Sequence, residues 1–487
     1  MADGMTAEGG RDFAEWAAWY SQRTNRSLAG TRIALPTAVD DAGDGATHTF
    51  AARAAQWGMI VDPADDGLSP ADEVADAREL SGKDAIDYAE LHMTVLRTLM
   101  AQLRETVDFA GVRIAVCLVL EPKTAVLLRQ LKAAGATVGV FADPSETDQR
   151  VADQLRREGI AVEADTRWTP EETQAGALKL LDTIRPQIII DDGASFARLA
   201  AAERPELMDG FVGVAEETTS GVRAFQAMQD AGALTFPVIA VNDSVLKTGF
   251  DNEHGTGETC VTTMQELLGA RCFDGANVAV IGYGPVGRGF ARRVRALGAN
   301  VVICDTDPVA ALKAVFDGFA ARDIDDAVTR ADIVVSATGV RHTVAVEHMR
   351  RMHDGAVLSV IGGIANEIAL DDIPGFRHDN GRDVTTIAVP DGPTLTLLAE
   401  GDGVNYTAGG GNPIEIMDLS FAVQASAVAR LLESRETGQT LSPGLHRLDT
   451  ASDRRIAAVA LRTRGFAASH AVADNGYDWQ LTRFADA

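Results

Sequence analysis

The chain has 487 residues, of which 46% are hydrophobic and 23% charged, and its formal net charge is −26. A chain of this length exceeds one ordinary hydrophobic core, so two or three globular domains are predicted. The negative charge argues against binding of nucleic acid or of an anionic membrane surface through a basic face. No apolar run reaches the roughly 18 residues that a membrane span needs.

The cysteines and the first residues bear on the cellular compartment. Cys117, Cys260, Cys272 and Cys304 form no CxxC pair, which favours buried thiols in a reducing compartment. Residues 1–11 are polar and glycine-rich and lack the apolar core of a signal peptide. We therefore expect a soluble, cytoplasmic protein. None of the nine histidines has a metal-ligand spacing with Cys, Asp or Glu, so no metal site is predicted.

The first half of the chain predicts a parallel sheet. Residues 1–80 are loosely patterned and suggest no chemistry, and helical apolar spacing begins at Ala85–Leu103. Strand-like runs then alternate with amphipathic helices, which is typical of a parallel sheet with helices on both faces. Asp191–Gly193 and Asn242–Asp243 follow strands, where such sheets bind ligands. The predicted strands are Val112–Leu120, Thr137–Phe141, Gln187–Ile190 and Pro237–Val241, and the helices are Thr124–Ala134 and Gln149–Glu158.

A second alternation contains a glycine loop, Gly282-x-Gly284-x-x-Gly287, directly after a predicted strand at Asn277–Ile281. In such a loop the glycines permit a tight turn, close approach of a pyrophosphate and close helix–strand packing, and the following helix N-terminus favours the anion. Asp305 ends the next strand, where a carboxylate accepts hydrogen bonds from a ribose diol and repels a 2′-phosphate. The motif therefore predicts NAD rather than NADP. The other predicted strands are Asn300–Cys304, Ile333–Ala337 and Ala356–Ile361.

Together with Glu216–Gly221 and Asn242–Asn252, this loop resembles the S-adenosylhomocysteine hydrolase family. The resemblance runs from about Phe109 to Glu433. In that family a permanently bound NAD oxidises the 3′-hydroxyl of a nucleoside, a base removes the C4′ proton, and the group on C5′ leaves. Water then adds to the alkene and the ketone is reduced. The family also implies a homo-oligomer, a tetramer.

The resemblance assigns catalytic roles to five residues. Lys247 and Asp251 match the pair that handles the 3′-hydroxyl, and Glu217 matches the carboxylate that binds the ribose diol. Asp192 matches the carboxylate near C4′ and C5′, and Asn252 the residue between sugar and nicotinamide. A lysine close to NAD⁺ should have a lowered pKa, because like charge disfavours its protonated form. Each residue taken alone is equally compatible with a helix cap or a surface ion pair.

The same resemblance implies substrate and cofactor contacts. The implied substrate contacts are Glu121, Lys123, Thr124, Asn412 and Met417. The implied cofactor contacts are Gly282, Gly284, Pro285, Val286, Gly287, Asp305, Thr218, Thr219, Ser220, Thr338 and Asn405.

The resemblance breaks at three histidine positions. Val119, Gly363 and Asn412 stand where family members have histidine. Glu121 and Lys123 stand in place of the family's adenine-reading Thr and Glu. Because histidines are the natural proton shuttles at neutral pH, their loss should leave oxidation at C3′ intact and impair hydration of the alkene.

Three functions stay open from the sequence. One is a redox-assisted nucleoside dehydratase that releases a 4′,5′-unsaturated nucleoside, similar to the dehydratases of angustmycin-type nucleoside antibiotic biosynthesis. It needs a general acid, because hydroxide leaves poorly, and Asp192 or Glu121 could serve if burial raises its pKa. The second is a divergent S-adenosylhomocysteine hydrolase that uses other groups to activate water. The third is a non-catalytic NAD-binding regulator, which has no use for a tuned lysine at position 247.

The predicted fold is α/β, with two doubly wound parallel-sheet domains and a C-terminal helical tail. A discontinuous substrate domain surrounds a Rossmann NAD-binding domain, and hinges at Val241–Asp243 and Asn405–Gly411 would close the cleft against water. The predicted boundaries are 1–80 for an N-terminal extension, 81–245 and 411–450 for the substrate domain, 246–410 for the NAD-binding domain, and 451–487 for the tail.

Overall fold

The computed structural model describes residues 11–35, 45–62, 68–362, 366–378, 382–436, 438 and 441–470. Two seven-stranded sheets organise this part of the chain, as predicted. The histidine position at Gly363 lies outside the described residues. No helix within the described ranges is long and apolar enough to cross a membrane.

The N-terminal extension contains regular structure that the sequence analysis does not predict. α1 (Phe13–Thr24) begins with a capping box, in which the Asp12 carboxylate accepts the backbone N–H of Glu15. Trp16 and Trp57 are almost fully buried and belong to one hydrophobic cluster with core residues of the second sheet. The extension is therefore packed on the second unit. It also contains β1 (Arg32–Ile33), α2 (Gly45–Gln56) and β2 (Ile60–Val61).

The first unit alternates strands and helices as predicted, and all its strand pairings are parallel. Its strands end where polar motifs begin, so the motifs share one edge of the sheet. The elements are α3 (Gly82–His92), α4 (Thr94–Leu103), β3 (Arg113–Cys117), α5 (Pro122–Ala133), β4 (Thr137–Phe141), α6 (Gln149–Arg157), β5 (Ala161–Glu163), α7 (Pro170–Ile184), β6 (Ile188–Asp191), α8 (Ser195–Glu203), β7 (Gly213–Glu216), α9 (Thr219–Asp230) and β8 (Pro237–Ala240).

The helix predicted over 85–103 is two helices, α3 and α4. Met93 interrupts it with φ −91° and ψ 67°, outside the helical region. The buried Asp418 carboxylate accepts the backbone N–H groups of Val95 (2.8 Å) and Leu96 (2.7 Å). A carboxylate on these first amide groups starts α4 anew. Its partner is distant in sequence, which is why apolar spacing alone predicts one helix.

The second unit is built around a sheet ordered β11-β10-β9-β12-β13-β15-β14, in which β14 alone is antiparallel to its neighbour. From β9 the next strands, β10 and β11, are added on one side, and from β12 the next strand, β13, is added on the opposite side. The carboxyl ends of β9 and β12 therefore flank the crevice that binds ligands in such sheets. The elements are α10 (Val245–Lys247), a π-helical segment (Thr248–Thr256), α11 (Gly257–Leu268), β9 (Asn277–Ile281), α12 (Pro285–Ala296), β10 (Asn300–Cys304), α13 (Pro308–Phe316), β11 (Ala320–Ala321), α14 (Ile324–Ala327), β12 (Ile333–Ser336), α15 (Val346–Met349), β13 (Val357–Val360), β14 (Val384–Ala388), β15 (Thr394–Leu398) and α16 (Val404–Thr407).

The chain then returns to the first unit through α17 (Ile414–Glu436), β16 (Gly444–His446) and α18 (Thr450–Thr463). β16 pairs with β8, which completes the order β16-β8-β7-β6-β3-β4-β5. The strand order reverses between β3 and β6, so their carboxyl ends flank a second crevice. The α/β class with two mainly parallel sheets is confirmed, and the domain boundaries stay predictions.

Candidate active site

A lysine and a carboxylate form the centre of the cleft. Lys247 ends α10, and the π-helical turn that follows brings both Asp251 and Asn252 to its side chain. Lys247 Nζ lies 3.1 Å from Asp251 Oδ1 and 2.9 Å from Asn252 Oδ1. The Lys247 and Asp251 side chains are both nearly fully buried. Short π-helical stretches often mark functional sites because they redirect side chains.

The buried side of Asp251 is held by two residues from the chain return. Asn412 Nδ2 donates to Asp251 Oδ1 at 2.8 Å, and Ser420 Oγ of α17 donates to Oδ2 at 2.8 Å. Asn412 Oδ1 accepts in turn from Asn405 Nδ2 at 3.0 Å. The carboxylate is therefore fixed by residues far apart in sequence.

Glu217, directly after β7, lies on the same side of the cleft. Gln424 of α17 donates to Glu217 Oε2, while Glu217 Oε1 is buried without a protein partner. Burial raises the pKa of Glu217 to about 8. The charge of Asp251 adds to this rise, and the charge of Lys247 reduces it. A protonated carboxyl with a free buried oxygen suits a sugar hydroxyl as its hydrogen-bond partner.

Two pairs of adjacent carboxylates divide their roles. Asp191 Oδ2 accepts from the amide of Ala197 at 2.8 Å, and Glu216 Oε2 accepts from the amide of Ala194 at 3.0 Å. Both of these first members therefore hold the segment that follows β6. The second members, at positions 192 and 217, both act electrostatically on Lys247. Burial raises the pKa of Asp192, opposed by a hydrogen bond from Thr218 and by Lys247.

The pKa of Lys247 differs from the sequence-based expectation. Burial disfavours its ammonium form, but the neighbouring carboxylates of Asp251 and Glu217 outweigh burial, and the pKa is raised. The protein groups alone therefore do not produce the expected lowering, which stays a prediction for the enzyme with NAD⁺ bound. The expectation counted only the charge of NAD⁺, whereas three carboxylates surround the ammonium.

The glycine loop between β9 and α12 fits a pyrophosphate. Gly282 has φ +100°, and a Cβ there would lie 2.8 Å from the carbonyl oxygen of Ala337. No atom lies within 4 Å of a Cβ built at Gly284, which leaves the backbone open to a ligand, whereas one at Gly287 would overlap the carbonyl of Gly282. Asp305, at the end of β10, accepts the amide of Tyr283 at 2.7 Å, so it is fixed beside the loop.

The remaining implied cofactor contacts lie on the turns around the two crevices. Pro285 is the first residue of α12, and Val286 packs partly buried against the core. Thr218 caps α9, Thr219 Oγ1 donates to Asn242 at 3.0 Å, and Ser220 Oγ lies 3.2 Å from the Thr218 hydroxyl. After β12, the Thr338 amide donates to Glu367 at 3.0 Å. Asn405 Oδ1 is buried without a partner.

Two alanine substitutions separate folding from cofactor binding in this loop. We expect Gly287→Ala to destabilise the cofactor-free protein by about 2 kcal/mol or more, because its Cβ would overlap backbone. Gly284→Ala should change stability by less than about 0.5 kcal/mol, since its site is open and its φ of −71° suits alanine. It should nevertheless weaken NAD binding, because the pyrophosphate approaches there. Denaturant unfolding and calorimetric titration with NAD measure the two effects; equal stability of both variants would contradict this account.

The implied base-binding end lies across the cleft, after β3. Lys123 Nζ is 2.7 Å from Glu121 Oε2 and is almost fully buried. Thr124 Oγ1 donates to the carbonyl of Val119 at 2.6 Å and so closes the first turn of α5. Burial raises the pKa of Glu121, and Lys123 opposes that rise. Met417 is a buried core residue of α17.

Sequence reasoning missed several polar residues of the cleft. Tyr406 of α16 is 38% exposed, and its ring lies 3.1 Å from a Cβ built at Gly411. Glu146 follows β4 and its side chain is exposed; desolvation and the charge of Asp192 raise its pKa, and solvent screening limits that rise. Both residues follow strands or hinges, which is the only signal that the sequence offered.

One cluster of metal-ligand types forms outside the cleft. Ligand atoms of His342, Asp371 and Asp372 lie within 4.8 Å of one another. His342 Nε2 is 2.7 Å from Asp371, and Arg341 also pairs with that carboxylate. Because an arginine and an imidazole already satisfy Asp371, the cluster is a surface ion-pair network. No metal-ligand spacing is visible in the sequence because His342 lies about 30 residues from Asp371 and Asp372, and only the fold brings them together.

Comparison with known proteins places this geometry in a family. The model of the S-adenosyl-L-homocysteine hydrolase family matches residues 73–204, and the model of that enzyme's NAD binding domain matches residues 261–411. The chain is 42% identical over 391 residues to an adenosylhomocysteinase of Pyrococcus abyssi, across 79% of this chain and 91% of the relative. The chain belongs to the S-adenosyl-L-homocysteine hydrolase family. NAD is therefore its cofactor.

Relatives named for a different substrate have similar sequence identity to this chain. The chain is 39% identical over 389 residues to an S-inosyl-L-homocysteine hydrolase of Methanopyrus kandleri, covering 79% of this chain and 91% of that protein. An adenosylhomocysteinase of Thermotoga maritima is 38% identical over 394 residues, covering 79% and 95%. The family thus includes members named for two different bases, and the chain is an NAD-dependent enzyme of the same type.

Proposed function

We propose that this enzyme of the S-adenosyl-L-homocysteine hydrolase family removes water from a nucleoside with a free terminal hydroxymethyl group. The product is an unsaturated-sugar nucleoside, as in nucleoside antibiotic biosynthesis. The observation that carries the proposal is the state of Asn412, which stands at a histidine position of the family and whose amide is spent on a buried network. The redox residues are kept, whereas the groups suited to moving water are replaced.

Asn412 cannot act as a proton shuttle. It is fully buried, donates to Asp251 at 2.8 Å and accepts from Asn405 at 3.0 Å. An amide side chain does not titrate near neutral pH. Val119, at the second such position, has an aliphatic side chain two residues after the end of β3. Neither residue can deliver a proton to, or take one from, an attacking water.

Three of the described histidines have contacts of their own. His254 lies within the π-helical segment, and its Nδ1 is 3.2 Å from Arg293. Burial and the charge of Arg293 lower the pKa of His254 to about 4, so it is neutral at physiological pH. His378 lies 3.6 Å from Glu400, and His446 contacts the carbonyl of Ser442. We therefore assign the acid that protonates the departing hydroxide to a carboxyl group of the cleft.

Carboxyl groups can supply the acid that dehydration needs. Hydroxide leaves only if its oxygen is protonated as the C5′–O bond breaks. Burial raises the pKa of Asp192, which favours the protonated form that an acid needs, and raises that of Glu217 to about 8, so a protonated carboxyl persists in the cleft at neutral pH. Asp192 follows β6 in the crevice beside β3, which suits a group that works near the sugar terminus.

The roles of the side chains follow from their contacts. Bound NAD supplies hydride acceptance at C3′ and the return of that hydride at the end. Lys247, held by Asp251 and Asn252, moves the proton of the 3′-hydroxyl, and Glu217 holds the diol. With a carbonyl at C3′, the C4′ proton becomes acidic. A carboxylate of the cleft removes the C4′ proton. The C5′–O bond then breaks, and a protonated carboxyl of the cleft gives its proton to the departing hydroxide. One water leaves, and the overall oxidation state is unchanged.

The alternative function is hydrolysis of S-adenosylhomocysteine or its inosyl analogue. It is favoured by the 38–42% identity to hydrolases over 79% of the chain. Retention of Lys247, Asp251 and Glu217 is compatible with both functions, because both begin with oxidation at C3′. The two differ in the group that leaves C5′, hydroxide or the thiolate of homocysteine, and in whether water then adds to the alkene.

Product analysis by mass spectrometry separates the two functions. Purified enzyme with NAD is incubated with S-adenosylhomocysteine, with S-inosylhomocysteine, and with an adenine ketose nucleoside carrying a free hydroxymethyl group. We expect the free nucleoside to lose one water and neither thioether to release homocysteine. Release of homocysteine with a saturated nucleoside would show a hydrolase and overturn the proposal. Lys247→Gln, assayed in parallel, shows whether any product depends on this cleft.

A further inference from the structure

The N-terminal segment 12–29 precedes both regions that match the family models, residues 73–204 and 261–411. Its hydrogen bonds reach both sides of the cleft. On the side of the second unit, α1 packs along α11. Ser21 Oγ lies 3.1 Å from Thr262 Oγ1, and Gln22 Nε2 donates to the Thr262 carbonyl at 2.9 Å. These bonds anchor the segment to the NAD-binding side.

Beyond α1 the segment is bonded to a buried ion pair and to the chain return. Glu258 of α11 accepts the amides of Leu28 (2.7 Å) and Ala29 (3.2 Å) and also pairs with Arg293. Glu415, at the start of α17, accepts the amide of Ser27 at 3.0 Å. A buried carboxylate with several donors fixes a backbone strongly. The segment is therefore held where the chain passes from the second unit back to the first.

Asn25 is the residue that reaches the substrate side. Its φ of 49° is left-handed, a conformation that asparagine tolerates better than most residues. Its side chain donates to the carbonyls of Gly410 (3.0 Å) and Gly411 (3.2 Å), and its backbone carbonyl accepts the amide of Ile414 at 2.9 Å. Asn25 Oδ1 accepts from Lys123 Nζ at 2.5 Å. One side chain thus joins the hinge to the base-binding end.

These contacts exhaust the hydrogens of Lys123. Its ammonium faces Asn25 (2.5 Å), Glu121 (2.7 Å) and the Gly410 carbonyl (3.1 Å). An ammonium has three hydrogens to donate, so none is left for a ligand. Glu121 keeps acceptor capacity, and its Oε2 lies 3.2 Å from a Cβ built at Gly411. The group that can contact a nucleobase here is an acceptor.

We propose that the segment 12–29 is a latch across the cleft, in which Asn25 holds Lys123 and thereby orients Glu121 toward a nucleobase edge that donates a hydrogen bond. Adenine donates from its exocyclic amine and hypoxanthine from N1–H, and unsubstituted purine has no donor at that edge. Asn25 is a positioning residue for base selectivity. This inference rests on the proposed nucleoside substrate, and it adds which chemistry the base must have.

Three variants test the latch. Asn25→Gly removes the amide and keeps the left-handed backbone, and Asn25→Asp restores an acceptor for Lys123. Gln22→Ala removes an anchor of the same segment that does not touch Lys123. Calorimetry with NAD-loaded enzyme measures binding of adenosine, inosine and unsubstituted purine riboside. We expect the wild-type enzyme to favour one donor-bearing base over the unsubstituted one by about tenfold or more, the usual worth of a hydrogen bond to a charged group.

Asn25→Gly should lose that preference, and Asn25→Asp and Gln22→Ala should keep it within about threefold. An unchanged preference in Asn25→Gly, or an equal loss in Gln22→Ala, would overturn the latch. Hydrogen exchange of the backbone amides of residues 119–126, measured without nucleoside, tests the latch independently of the identity of the substrate. Faster exchange in Asn25→Gly than in Gln22→Ala supports the latch, and equal exchange refutes it. If selectivity depends on Asn25 but no water is lost from any nucleoside, the proposed dehydration fails and the latch stands.

Discussion

Lys247→Gln should lower the rate of substrate oxidation about 10²- to 10⁴-fold, the usual contribution of a positioned acid–base group. Lys247 Nζ contacts Asp251 at 3.1 Å and Asn252 at 2.9 Å, and its side chain is buried. Glutamine can still donate to Asp251 but cannot carry a proton at any accessible pH. The appearance of reduced nicotinamide in single-turnover absorbance measurements isolates this step from the later loss of water.

The chain provides a matched control for this substitution. Lys83 and Asp87 form an ion pair with the same four-residue spacing, with Nζ 2.5 Å from Oδ2, but on an exposed helix surface. Lys83→Gln removes the same charge and should leave the oxidation rate unchanged, because solvent screens exposed pairs. A Lys247→Gln enzyme that folds, as judged by circular dichroism, and oxidises substrate at the wild-type rate would remove Lys247 from the reaction.

The sequence predicts the parts of the site that depend on local order. The glycine loop followed by Asp305 predicts a nucleotide crevice because turn, strand and helix are contiguous, and β9, α12 and β10 have that arrangement. The four-residue spacing of Lys247 and Asp251 likewise survives in the structure, with a π-helical turn in place of a regular one. Such features need only neighbours in sequence.

The sequence does not predict the partners that come from elsewhere in the chain. Ser420 and Gln424 both lie in the first half of α17. Ser420 contacts Asp251, 169 residues away in sequence, and Gln424 contacts Glu217, 207 residues away. The break at Met93 depends on Asp418 in the same way. The sequence analysis does not predict the contacts of the N-terminal segment because they are made by backbone amides and single polar side chains with residues more than 200 positions away. Burial, and hence pKa, follows from these long-range contacts.

The raised pKa of Glu217 makes the stability of the folded protein fall as pH rises from acid to slightly above neutral. Burial raises its pKa from 4.5 to about 8, so between these values the folded state binds more protons than the unfolded state. The free energy of unfolding therefore falls as pH rises across that interval. Glutamine has nearly the same shape and is neutral throughout, so Glu217→Gln should remove this contribution.

We therefore expect Glu217→Gln to have about wild-type stability near pH 5 and to be more stable by about 2–4 kcal/mol near pH 9, from the linkage of one raised carboxyl. Urea unfolding at several pH values measures the difference in free energy of unfolding between the variant and the wild-type protein. The pKa shifts of the other buried carboxyls are common to both proteins and largely cancel in this difference. The same variant should bind nucleoside more weakly, since Glu217 Oε1 is a buried oxygen without a protein partner and is free to contact a ligand. Greater stability together with weaker binding would show that the cleft retains a costly carboxyl for its ligand. A pH-independent difference in stability would mean that Glu217 titrates normally and that solvent reaches it.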